Sequence, residues 1–99
     1  KDLVMAYYEN MRYDLLNIIF PDLTPVQAQC VLMYSFGMSS LEISGCVGVS
    51  RQMIDKNLHA AAKKMNVNNL IALKPAVVIG ILLEVLASLP VKDDLTNED

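Results

Sequence analysis

Between Leu3 and Phe20, the apolar residues Val4, Tyr8, Met11, Leu15 and Ile18 or Ile19 recur at spacings of three and four, with Glu9, Arg12 and Asp14 on other faces. That period predicts an amphipathic helix with a broad apolar side. Pro21 ends it, because the ring pushes Phe20 out of the helical region. In the following stretch Thr24 can cap, Pro25 suits a first helical position, and Gln27 can return a bond to the cap backbone. A helix over about 25–36 is predicted, with Val26, Cys30, Val31 and Tyr34 facing the core, Leu23 stapled from outside and Gly37 closing the end. Ser39 and Glu42 repeat the capping logic and start a short helix over about 40–47, which Gly48 breaks. Ser50 then caps a longer helix over about 51–65.

That longer helix sorts its residues into two sides. Ile54, Leu58, Ala61 and Met65 form an apolar stripe, while Arg51, Gln52, Asp55, Lys56, His59 and Lys63 lie away from it. Asn66 is placed to end the helix, and Asn68 or Asn69 to cap the next. Two helices joined by a tight glycine-containing turn make a helix-turn-helix unit. The apolar run from Leu70 to Leu89 contains Pro75, which is expected to kink or split it. Its uncharged part, 75–83, falls short of the ~18–20 residues of a membrane span, so no membrane is expected. The chain thus divides into an N-terminal amphipathic helix (1–21), a helix-turn-helix domain (22–74), an apolar C-terminal helix (75–90) and an acidic tail (91–99) expected to lack fixed structure.

Composition agrees with an all-α domain. The chain has 99 residues, 54% of them hydrophobic and 6% aromatic, with no Trp and only four Gly and four Pro. The net charge of −3 argues against a nucleic-acid partner until it is split along the chain. The segment 38–74 carries Arg51, Lys56, Lys63, Lys64 and Lys74 against Glu42 and Asp55, a local +3, and the acidic excess lies in the two flanks. Cys30 and Cys46 lie in apolar surroundings with no signal peptide ahead of them, which points to free thiols and a cytoplasmic setting. The opening residue is Lys1, which leaves room for an upstream sensor domain or a partner regulator.

From Leu23 to about Leu73, the order of features resembles the LuxR-type (GerE-like) DNA-binding domain of bacterial transcription regulators. The resemblance rests on Leu23-Thr24-Pro25, Gly37-Met38-Ser39, Glu42-Ile43, Gly48-Val49-Ser50, Ile54, Leu58, Lys63-Lys64-Met65 and Val67-Asn68-Asn69. Region 4 of bacterial sigma factors is similar as far as the longer helix, but usually finishes near Lys63-Lys64, where this chain continues into another apolar helix. The LuxR-type resemblance implies four helices, the second and third forming the helix-turn-helix, the third entering the major groove and the fourth making a dimer contact. Base-reading positions of that family fall on Asp55, Lys56 and His59, with Gln52 on the same polar face. Phosphate anchoring falls on Ser50, Arg51, and Lys63 or Lys64. Two residues depart from the pattern: Asp55 stands where Lys is usual and Met53 where Thr is usual.

A carboxylate at position 55 can accept a bond from cytosine N4, repel nearby phosphates, or pair with Arg51 or His59 one turn away. Other chemistries are disfavoured. His59 has no metal-ligand neighbours at suitable spacing, Ser50 is needed as a cap and so makes a poor nucleophile beside Asp55 and His59, and Gly45–Gly48 lacks the Lys and hydroxyl of a phosphate loop. No enzyme activity and no cofactor are expected. Two functional readings remain open. One is a transcription regulator binding duplex DNA as a homodimer, paired through Val78, Ile81, Leu82, Val85 and Leu89. The other is a degenerate helix-turn-helix module that engages another regulator without binding DNA.

Overall fold

The computed structural model describes residues 13–91. The first part of the expected N-terminal helix and most of the acidic tail lie outside them. Every regular element among the described residues is helical. A 3-10 turn, Tyr13–Leu15, leads into α1 (Leu16–Ile19). There follow α2 (Pro25–Ser35), α3 (Ser40–Val47) and α4 (Arg51–Lys64), then a second 3-10 turn, Leu70–Ala72, that leads into α5 (Leu73–Ser88).

The helix starts are built by short-range hydrogen bonds. Gln27 N–H donates to Thr24 Oγ1 at 3.1 Å while Thr24 N–H donates to Gln27 Oε1 at 3.0 Å, a complete capping box. Ser39 and Glu42 form the same pair at the start of α3. Ser50 Oγ accepts from Met53 N–H, and Asn69 Oδ1 accepts from Ala72 N–H. The ends of α2 and α4 share a motif in which a left-handed residue turns the chain. Gly37 does this with φ +108°, and Asn66 with φ +61°. In both, the following amide reaches back to the helix, Met38 to Met33 and Val67 to Ala62. Asn66 tolerates this backbone better than most non-glycine residues.

The helix α2 is central and packs against α4 and α5, while α3 packs on α4 and α1 on α5. Burial on α2 therefore goes most of the way round: Ala28, Cys30, Val31, Leu32 and Met33 are all buried, and so are the polar Gln27 and Ser35. The expected ridge was narrower than this, and Val26, which belonged to it, lies at the surface. The core is completed by Leu16, Leu23, Ile43, Ile54, Leu58, Leu73 and Val77.

Pro75 neither kinks nor splits the last helix. It falls in the first turn of α5, where an amide would have no partner within the α-helix. The 3-10 turn and α5 thus run on as one helical stretch, Leu70–Ser88, of 19 residues and mean hydropathy 2.3, long and apolar enough to cross a membrane by length and composition. The expectation of no membrane span rested on the uncharged part, 75–83, alone. Its N-terminal half behaves as a core helix, with Leu73 and Val77 fully buried. Gly80 lets α5 approach α1 closely: a Cβ there would lie 3.1 Å from Ile19 Cγ2.

Candidate nucleic-acid interface

The two helices α3 and α4 are joined by Gly48, Val49 and Ser50, with Gly48 left-handed at φ +84°. Ile43 from α3 and Ile54 and Leu58 from α4 are fully buried, which fixes the crossing of the pair. On α4 the buried positions 54, 58, 61 and 62 occupy one side. Half a turn away, Gln52, Lys56, His59 and Lys63 follow one another at spacings of four, three and four, and all four are exposed. This row is the polar face expected from the sequence.

The remaining expected contacts sit to its sides. Arg51 is exposed at the start of α4 and Ser50 is spent on the cap. Asp55 is half-buried, and its Oδ1 accepts a 2.6 Å bond from Ser40 Oγ. The carboxylate therefore ties α3 to α4, a partner that neither of the two pairings weighed from the sequence, with Arg51 or His59, had supplied. His59 does meet residue 55, but through the backbone: its Nδ1 lies 2.8 Å from the Asp55 carbonyl. Since a carbonyl only accepts, Nδ1 carries the proton and Nε2 is left for an outside partner.

Lys64 leaves the row as well. Its Nζ donates to the Asp22 carbonyl at 2.9 Å and to Gln27 Oε1 at 2.7 Å, joining the end of α4 to the start of α2. Lys63 and Lys64 were interchangeable phosphate anchors in the sequence. In the fold only Lys63 faces outward with the row. Beside it lies a polar hollow of about 350 Å³ lined by His59, Lys63, Asn66, Asn68 and Asn69. The sequence marked these asparagines as caps only, and the Asn66 turn is what brings them alongside the row.

The expected dimer contacts divide. Leu82, Val85 and Leu89 are half or more exposed, whereas Val78 and Ile81 are partly buried against their own chain. Ile81 and Val85 line an apolar groove of about 410 Å³ with Leu15, Ile18 and Phe36, and Glu84 stands among them. The set expected to meet a second copy thus spans the exposed side of α5 and the side turned to the body of the domain.

Cys30 is buried and Cys46 half-buried, and neither is in a disulfide. Burial pushes the Cys30 thiol up from 9.0 to about 11, which makes it a poor nucleophile near neutral pH.

No protein-family profile matches this chain, and neither a curated protein nor a solved structure is significantly similar to it.

Proposed function

We propose that this chain is the duplex-DNA-binding domain of a bacterial transcription regulator, LuxR-like in arrangement, with α4 lying in the major groove. The observation that carries the reading is the open row Gln52–Lys56–His59–Lys63 on a helix whose opposite side is anchored by Ile54 and Leu58. A helix fixed on one side and polar on the other fits a groove about 12 Å wide. Lys56 and His59 are the base-edge candidates at the middle of the row. Arg51 and Lys63 at its two ends are the phosphate anchors, with Gln52 beside Arg51. Two copies would read two half-sites about one helical turn apart.

Binding to a random duplex library at two salt concentrations tests this. With Arg51 and Lys63 each neutralising one phosphate, log affinity falls by about 1.8 per decade of salt for each copy. Lys56→Ala relaxes sequence preference, and Lys63→Ala weakens all sequences alike. Absence of duplex binding at low salt removes the reading. The docking-module alternative is favoured by one observation, the bare apolar surface of α5.

A further inference from the structure

One member of the outward row on α4 has its hydrogen-bonding sense fixed by its own helix. His59 is exposed, and its Nδ1 lies 2.8 Å from the carbonyl oxygen of Asp55, one turn back. The oxygen has no proton to give, so Nδ1 donates. A neutral imidazole carries a single ring proton, and with that proton on Nδ1 the other nitrogen is a bare lone pair that only accepts. Nε2 has no hydrogen-bond partner among the described residues. Lys56 and Lys63, three residues before and four after, end in ammonium groups that only donate. His59 is thus an acceptor standing between two donors.

Base edges in the major groove divide by the same property. Adenine and cytosine present an exocyclic amino group, at N6 and N4, where guanine and thymine present a carbonyl oxygen, at O6 and O4. A bare lone pair is bonded by the amino group and repelled by the oxygen.

We infer that His59 determines specificity by reading an amino base, adenine or cytosine, through a hydrogen bond accepted at Nε2. This role rests on the DNA reading and adds to it the chemical class of base chosen at one position. The identity of the side chain does not dictate that choice, because the other tautomer would donate from Nε2 and choose guanine or thymine. The Asp55 carbonyl dictates it, and the Asp55 carboxylate, bonded to Ser40 on α3, holds that stretch of α4 in place.

The test takes the full chain through two measurements at pH 8. The first is nitrogen-15 NMR of the free protein, in which couplings to the ring protons show which nitrogen is protonated; the chain has one His, so the signal has one source. Protonated Nδ1 is expected. A proton on Nε2 overturns the proposal and leaves the DNA reading standing.

The second measurement takes a duplex selected from a random library and replaces its amino bases one at a time, purine for adenine and 2-pyrimidinone for cytosine. Each duplex is titrated with the wild type and with His59→Ala, so that the loss of pairing inside the duplex cancels. At one base pair the deletion should weaken the wild type about fivefold more than His59→Ala, the worth of one neutral hydrogen bond. His59→Lys, which offers donors only, should shift the choice at that base pair toward guanine. The side chain is exposed, so neither substitution asks the core to adjust, and far-UV circular dichroism checks the fold.

The proposal fails, with duplex binding intact, if every deletion weakens the wild type and His59→Ala alike or if His59→Lys keeps the wild-type choice. A wild type that binds no duplex at low salt removes the DNA reading and this role together.

Discussion

The helices α4 and α5 both press one side onto α2 and leave the other to solvent, and what they leave differs in kind. On α4 the outward row is Gln52, Lys56, His59 and Lys63; on α5 it is Ile79, Leu82, Leu83 and Leu86. Their inward sides are alike, with Ile54 and Leu58 on one and Leu73 and Val77 on the other, all fully buried. The inward sides therefore speak only of folding. The outward sides differ in what they offer to solvent: a polar row with two lysines that is well hydrated, and an apolar row that water disfavours at any time. The first suits an interaction that is made and broken, the second one that persists.

The sharpest way to break this contrast is to truncate each side in turn. Leu58→Ala should cost about 2–5 kcal/mol, as loss of a fully buried Leu usually does, whereas Leu83→Ala should change the stability of the monomer by no more than about 0.5 kcal/mol. Urea denaturation at low micromolar concentration reads both. A large loss at Leu83 there would mean that the outward side of α5 serves the monomer fold.

The shared support, α2, can be probed through Cys30. Its folded thiol titrates at about 11 and its unfolded one near 9.0, so the folded state holds the proton more tightly between those values. The contribution is fully present below pH 9, declines as pH rises, and is lost above about 11, on the order of 2–3 kcal/mol in all. Cys30→Ala should flatten that alkaline fall in the urea midpoint. Should the fall persist unchanged, Cys30 is not its source.

A smaller effect distinguishes the side of α4 that braces α3 from the row that faces outward. Ser40→Ala and Asp55→Ala should each lower stability by about 1–2 kcal/mol, and the double substitution by less than their sum, because both remove the 2.6 Å bond between the two helices. Asp55→Ala should also raise non-specific duplex affinity by removing a negative charge beside the row. Strict additivity in the double substitution would show that Asp55 and Ser40 act independently.

Local chemistry was legible in the sequence and distant pairing was not. Thr24, Ser39 and Ser50 as caps, one of Asn68 and Asn69 as a further cap, and Gly37, Gly48 and Asn66 as helix ends could all be read because their partners lie within five residues. The polar row of α4 was legible for a related reason: a helix with one apolar side has a single way to face a core. The partner of Asp55 is 15 residues away and that of Lys64 is 37 away, so spacing along the chain gave no sign of either. The orientation of α5 was hard to read for a third reason. Beyond Val77 the helix is apolar on nearly every side, so periodicity did not mark an inward face, and the set read from it, Val78, Ile81, Leu82, Val85 and Leu89, takes in both exposed positions and positions packed against the domain. Pro75 was read as a break because the turn ahead of it, which places the proline at a helix start, has no marker of its own beyond the Asn69 cap.

The side-chain oxygen of Gln27 receives two donors at once, the Thr24 amide that opens α2 and the Lys64 ammonium that closes α4. One carboxamide thereby couples the lean of α4 to the opening turn of α2. An exchange at position 27 should shift α4 as a body while leaving every side chain of its outward row unchanged.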